Sequence, residues 1–298
     1  MELNFRTRDI GPLNDYPAIG WMPPLPEGAD RLWRRFGSFG SAEFPQIVLF
    51  QKNGRWELYM EGMDSGRTDA ATGQGGRVIR TSIYLEGNVS EGASILGLLS
   101  VFLSETLAGP GNGSRLRTLF AESIHAGEPR RWKDDGVQVQ MSVAQELLAK
   151  FIALACVLPV PPAVETGWAA GRSDENIRKF FGSCRAVLCG EADGYAISLP
   201  YCRMADAGNI SSMLDGERLV ALLSGDSAER AAPAIRLDHL RLPSHAREGR
   251  IVSESGKDRL NFFFLVALIL VVTGLLVKCC SGSRSDTVQK NPSRQEIK

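Results

Sequence analysis

The sequence predicts an α+β domain with a mostly antiparallel sheet, followed by a C-terminal single transmembrane helix. Three observations predict it: turn signals of two β-hairpins, helical stretches in blocks without regular βαβ alternation, and one long uncharged apolar run near the end of the chain. The expected sheet consists of two hairpins plus one or two further strands, packed with about five helices. The chain has 298 residues, 44% of them hydrophobic and 23% charged, a composition typical of globular proteins.

The first hairpin is expected over residues 46–60 and turns at Asn53-Gly54, a pair typical of two-residue hairpin loops. Such a loop sets the register, which pairs Lys52 with Arg55 and Ile47 with Met60. One face of the hairpin is then apolar, as a half-buried sheet requires. The residues expected on that face are Ile47, Leu49, Trp56, Leu58 and Met60.

Three further segments have strand-like patterns. A second hairpin is expected over Arg185–Tyr201, with its turn at Asp193-Gly194. Additional strands are expected over Arg77–Leu85 and Ile235–Leu242. On the strand over Arg77–Leu85, alternation turns Arg80, Ser82 and Tyr84 to one face and Ile79, Ile83 and Leu85 towards the core.

Helical stretches lie between these strands. The stretch Ser90–Leu107 is apolar nearly all round, which predicts a helix at the centre of the core. Ser114 and Ser173 are expected N-caps, because a serine side chain can accept a hydrogen bond from the first turn. The other expected helices are Asp30–Phe36, Ser114–Ala126, Ser142–Cys156, a short helix from Ser173 to Gly182, and Ser212–Leu223.

The apolar run predicts a membrane span. Leu260–Val277 has 18 residues without a charge and would reach roughly 27 Å as a helix, close to the thickness of a bilayer's hydrocarbon core. A buried core helix would have a polar face, and this run has none. The expected organisation is an α+β domain over 1–242, a polar linker over 243–259, a transmembrane helix over 260–278 and a short polar tail over 279–298.

The charges that flank the run do not set its orientation, since five Lys/Arg lie in the 20 residues before it and five lie after Val277. The amino terminus lacks the apolar segment of a signal peptide. We therefore expect a single-pass protein of the cell membrane with the bulk of the chain in the cytoplasm. The alternative is the inverted arrangement, with the body outside.

The distribution of charge and the absence of known motifs narrow the range of partners, cofactors and reactions that the sequence supports. Residues 278–298 carry five Lys/Arg and two Asp/Glu, a net of +3, so residues 1–277 net −3 in a chain of zero formal charge. An acidic body does not favour a nucleic-acid partner. No Cys/His spacing of a metal site, no phosphate-loop or dinucleotide motif and no serine elbow is present. We expect no metal and no cofactor, the catalytic residues are unknown, and a non-enzymatic role is favoured.

The candidate ligand site is the stretch 62–82, GMDSGRTDAATGQGGRVIRTS. Glycines let a backbone approach an anion, and arginines grip phosphate or carboxylate through two parallel hydrogen bonds. The alternative is a plain connection between strands, because phosphate-binding loops usually open a helix. The residues expected to bind the ligand are Arg67, Arg77, Arg80, Gly73, Gly75 and Gly76.

These features favour a C-terminally anchored protein, held in the lipid bilayer by residues 260–278, whose cytosolic domain binds a partner protein or a small anionic ligand. Such a protein would be a sensor, an adaptor or an effector subunit. One alternative is an effector that perturbs the membrane through an oligomerising transmembrane helix, and a homo-oligomer is therefore a possible state. The other is a membrane-tethered enzyme that uses His125, His239 or Cys189.

Overall fold

The structure is a computed structural model, and a mixed β-sheet forms its framework. All of the described residues belong to the compact unit Met1–Leu242. The described ranges are 1–7, 20–25, 44–68, 78–107, 114–124, 136–160, 165–214, 217–223 and 232–237. The predicted helix Asp30–Phe36, the linker 243–259, the span 260–278 and the tail 279–298 lie outside them. Within the described ranges, no helix is long and apolar enough to cross a membrane.

Eight strands of the described chain form the sheet, in the order β1-β4-β3-β2-β6-β7-β5-β8. Neighbouring strands are antiparallel, except that β7 is parallel to both β6 and β5. The strands are β1 Glu2–Arg6, β2 Gln46–Lys52, β3 Arg55–Thr68, β4 Val78–Asn88, β5 Trp168–Ala170, β6 Gly194–Leu199, β7 Leu219–Leu223 and β8 Ile235–Arg236. The predicted α+β fold with a mostly antiparallel sheet is confirmed.

Five α-helices of the described chain cover the sheet. Their bounds are α1 Leu96–Leu107, α2 Arg115–Ser123, α3 Val137–Ile152, α4 Asp174–Leu188 and α5 Ala207–Ser212. Helices α1 to α4 pack on one face, in the larger core, and α5 packs on the other face. Leu98, Leu99 and Phe102 of α1 are buried, as predicted for a central helix. The first turns of the predicted helix form a 3₁₀ helix, Val89–Ile95.

The first hairpin has the predicted register. Lys52 pairs with Arg55 and Ile47 with Met60. Asn53 and Gly54 both have positive φ, 55° and 77°, as a type I′ turn requires. The five side chains predicted for its apolar face all lie in the larger core.

The predicted second hairpin, Arg185–Tyr201, is wrong in its first half. Arg185–Leu188 are the last turn of α4, and only Gly194–Leu199 form a strand. Ile177, Phe180 and Cys184 are spaced three and four apart and lie buried on one face of α4, so burial continues the helix through Gly182, where the prediction ended it. Its start was predicted correctly, since the Ser173 side chain accepts from the Asn176 amide.

The predicted helix Ser212–Leu223 is also wrong, because Leu219–Leu223 form β7. This strand lies between β6 and β5 and is covered on both faces, so all five of its residues are buried. A strand buried on both faces has no apolar–polar alternation and cannot be told from a buried helix by periodicity. The short β5, likewise buried throughout, was not predicted at all.

The remaining elements were predicted with shifted bounds. Helix α2 is capped by Ser114, as expected, and α3 begins and ends several residues earlier than the predicted Ser142–Cys156. Strand β4 covers most of Arg77–Leu85, and β8 covers the first two residues of the expected strand Ile235–Leu242, of which 238–242 lie outside the described residues. The ends of helices and strands depend on the elements packed around them, so local patterns set their bounds poorly.

Candidate anion-binding site

One end of the sheet gathers polar and charged side chains from four strands. Arg6, the last residue of β1, pairs with Ser82 in the first half of β4, and Gln46, the first residue of β2, pairs with Glu61 of β3. These strands are distant in sequence, so only the sheet brings the residues together. We call this region the sheet-end site. Its residues are Arg6, Gln46, Tyr59, Glu61, Arg80 and Ser82.

Glu61 is the fully buried acid of the sheet-end site. An Arg6 Nη2 lies 2.5 Å from its Oε1, and the Gln46 Nε2 donates to its Oε2 at 2.6 Å. The same Arg6 nitrogen donates to the Tyr59 hydroxyl at 3.0 Å. Both carboxylate oxygens therefore have a donor, which compensates the desolvation of a charge that would otherwise be very costly to bury.

Two aromatic rings lie beside the ion pair of Arg6 and Glu61. The Arg6 guanidinium lies over the Trp21 ring, 5.1 Å from its centroid, and Trp21 meets Tyr59 edge to face at 5.8 Å. Burial, with a smaller contribution from the neighbouring Glu61 charge, raises the pKa of Tyr59 far above its ordinary value. Tyr59 is therefore a neutral hydroxyl at physiological pH and acts here as a hydrogen-bonding group, not as a nucleophile.

Arg80 differs from Arg6 in its surroundings. Its Nη1 donates to the Gly62 carbonyl at 3.3 Å, while its Nε is buried and has no hydrogen-bond partner. Asp64, the cross-strand neighbour of Arg80, accepts instead from the Gly66 amide at 2.8 Å. Within the described part of the chain Arg80 thus has no carboxylate partner, although a guanidinium has five N–H donors.

Two glycines of the predicted ligand stretch are structural. Gly62 and Gly66 have φ of 72° and 77° and lie where the pairing of β3 with β4 shifts register. At each point the strand bulges, which a glycine allows without strain. Gly62 also lies against the backbone of Phe44, where a Cβ would be 2.1 Å from the carbonyl oxygen.

The structure describes two of the six residues predicted to bind a ligand. Arg80 lies in the sheet-end site, and Arg67 lies near the end of β3, half-buried. Gly73, Gly75, Gly76 and Arg77 lie outside the described residues. Most of the stretch 62–82 is strand, since β3 runs to Thr68 and β4 begins at Val78.

Of the three residues that a membrane-tethered enzyme was expected to use, Cys189 is the one that the structure describes. The predicted second hairpin, Arg185–Tyr201, would place it on a strand, but it directly follows α4. Burial raises its pKa, against an opposing effect of Arg185, so the thiolate is disfavoured. His125 and His239 are outside the described ranges. Within those ranges, no group of three His, Cys, Asp or Glu side chains could hold a metal ion.

Glu57 lies on the same face of the sheet, and its raised pKa predicts a stability that depends on pH. It lies opposite Glu86 across β3 and β4, and burial, opposed by a Tyr84 hydrogen bond and reinforced by Glu86, raises its pKa above 4.5. An acid with a raised folded-state pKa contributes stability below the unfolded value and loses it as pH rises through the folded value. At pH 8 we expect Glu57→Gln to have a free energy of unfolding about 0.2–1 kcal/mol higher than that of wild type, and therefore a higher unfolding temperature. At pH 4 we expect no such advantage.

Thermal unfolding followed at pH 4, 6 and 8 measures this difference. Glu122→Gln is the control for the chemical change itself, because Glu122 is exposed on α2 and does not lie in the sheet. A Glu57→Gln advantage that does not grow with pH would contradict the assignment.

These elements define an α+β domain whose mixed sheet carries, at one end, a compensated buried ion pair beside an arginine that has no carboxylate partner in the described chain. Comparisons with protein-family models, with curated proteins and with solved structures find no match.

Proposed function

We propose that the chain is a membrane-anchored binding protein whose α+β domain holds a small anionic ligand at the sheet-end site. The observation that supports this proposal is Arg80, with a buried Nε that has no partner and a carboxylate neighbour that is engaged elsewhere. Glu61 does not oppose an anion there, because Arg6 already compensates its charge. Arg67 and Arg77, with Gly73, Gly75 and Gly76, belong to the same β3–β4 segment and complete the proposed contacts.

Anion-induced stabilisation of the detergent-solubilised full chain tests the site. Phosphate, pyrophosphate and citrate would each be titrated against KCl of equal ionic strength, because a ligand that binds only the folded state raises the unfolding temperature. We expect at least one of them to stabilise wild type. We expect Arg80→Ala to bind it at least about 10-fold more weakly, since a charge-assisted hydrogen bond contributes about 1.5–3 kcal/mol.

Two variants make this test specific. Arg80→Lys keeps the charge and loses the planar fork, so its affinity should be intermediate. Arg178→Ala removes an exposed arginine of α4 and should bind as wild type does. If no anion stabilises wild type, or if Arg80→Ala responds as Arg178→Ala does, the proposed site is wrong.

The membrane anchor is part of the same proposal and has its own test. Residues 260–278 would span the bilayer, with the α+β domain in the cytoplasm. We expect the full chain to stay in the membrane pellet after alkaline carbonate extraction. Leu268→Arg combined with Leu270→Arg should release it, because an arginine at the centre of a span costs about 2.5–3.5 kcal/mol. Retention of the double variant would contradict a span at this position.

A further inference from the structure

Two aromatic side chains are exposed at the same end of the sheet. Phe44 lies two residues before β2 and Tyr201 two residues after β6, and β2 and β6 are antiparallel neighbours. Their side chains are 45% and 46% exposed, and their ring centroids are 4.6 Å apart with an interplanar angle of 89°. In a perpendicular pair, one ring directs its edge at the face of the second ring. Neither face of the first ring is then covered by the second ring.

The backbone beside these rings is held by two arginines. On one side Gly62 lies against the Phe44 carbonyl, and Arg80 donates to the Gly62 carbonyl at 3.3 Å. On the other side Arg172 donates to the Pro45 carbonyl at 3.4 Å and to the Ser198 hydroxyl at 2.7 Å. Guanidinium groups therefore lie on both sides of the segment that carries Phe44.

The two exposed rings and the neighbouring arginines favour a ligand that has both a planar ring and an anionic group. Tyrosine and arginine are among the residue types enriched at the energetic centres of protein interfaces, where binding removes them from water. A planar ring of a ligand can stack on an exposed aromatic face, which contributes about 1–3 kcal/mol per ring. A guanidinium next to it can hold a phosphate through parallel hydrogen bonds. The aromatic pair and Arg80 together would contact the two halves of one small molecule.

We propose that the sheet-end site takes a ligand in which a planar heterocyclic ring is joined to a phosphate, the chemistry of a mononucleotide. The ring lies on Phe44 and Tyr201, and the phosphate lies at Arg80. The inference rests on the proposed anion-binding function and adds to it the class of the ligand. It predicts that the ring, and not only the phosphate, contributes to the affinity.

Calorimetric titration of the detergent-solubilised full chain with AMP and with ribose 5-phosphate separates the two contributions, because the second compound lacks only the base. We expect wild type to bind AMP about 5–150-fold more tightly than ribose 5-phosphate, the ratio that corresponds to 1–3 kcal/mol of stacking. Tyr201→Ala and Phe44→Ala should reduce AMP to the affinity of ribose 5-phosphate and leave ribose 5-phosphate unchanged. Tyr201→Trp should keep the preference for AMP, and Arg80→Ala should weaken both ligands.

The outcomes are distinguishable. Equal affinities of wild type for AMP and ribose 5-phosphate overturn the nucleotide inference and leave the anion site standing. A preference for AMP that survives both alanine variants, when their unfolding temperatures match that of wild type, overturns the proposed position of the ring on Phe44 and Tyr201. If neither compound binds to wild type, or if ribose 5-phosphate binding does not depend on Arg80, the inference and the proposed phosphate contact fall together.

Discussion

Replacing Arg6 by Met is expected to lower the free energy of unfolding by about 3–5 kcal/mol. Methionine keeps an unbranched apolar side chain at this position but removes the guanidinium, which lies over the Trp21 ring and is 2.5 Å from Glu61. The Glu61 side chain is 1% exposed, so its charge cannot recover hydration when its partner is lost. The Gln46 amide would still donate to its Oε2, but no positive charge among the contacts described above would remain beside it.

Removing the other partner should cost less. Arg6 is 31% exposed, so in Glu61→Gln its charge can still be hydrated, and we expect a loss of about 1–3 kcal/mol. The double variant Arg6→Met with Glu61→Gln should lose less than the sum of the two single variants, because the first substitution already breaks the pair. Urea denaturation of all four proteins measures the cycle. Additive losses, or an Arg6→Met loss below about 0.5 kcal/mol, would show that this pair is not the compensated charge described here.

Gly62→Ala is expected to lower the free energy of unfolding by about 2–5 kcal/mol. Two costs add at this position. A left-handed φ costs a non-glycine residue about 1–2 kcal/mol, and Gly62 has φ of 72°. The new methyl group would also lie 2.1 Å from the Phe44 carbonyl oxygen, and relieving such crowding typically costs about 1–3 kcal/mol.

Gly54→Ala is the matched control for Gly62→Ala. Gly54 has nearly the same φ, 77°, but no atom lies within 4 Å of where its Cβ would be. It should show the conformational cost alone, so the difference between the two variants in urea denaturation isolates the contact with Phe44. Since Gly62 also holds Arg80 through its carbonyl, Gly62→Ala should weaken anion binding, whereas Gly54→Ala should not. Equal losses in the two variants would mean that β3 does not approach Phe44 this closely.

The first hairpin and the helix caps illustrate what local patterns can predict. A two-residue Asn-Gly turn permits one register, and alternation on both sides of the turn agrees with it. Ser114 and Ser173 act on amides three residues away, within the same turn of helix. In these cases the interacting groups are close in sequence, so the information lies within a short window.

The candidate site shows the opposite case. The residue types of the stretch 62–82 pointed to Arg80, but not to the surroundings that distinguish it from Arg6. The partners of Glu61 lie 55 and 15 residues away from it, at Arg6 and Gln46. Phe44 and Tyr201 were not predicted as site residues, because no local pattern relates two aromatic residues that meet only when β2 pairs with β6.

The sequence by itself therefore determined the α+β class, the register of the first hairpin and the centre of the core at α1, and it predicts a membrane span at residues 260–278. Tertiary structure decided that Leu219–Leu223 is a strand, that Arg185–Leu188 is helical, and that one end of the sheet collects arginines, a buried acid and two exposed rings. The physical reason is the range of the forces involved. Turns and caps act between neighbours in the chain, whereas burial on both faces of a sheet and pairing of charges depend on residues that only folding brings together.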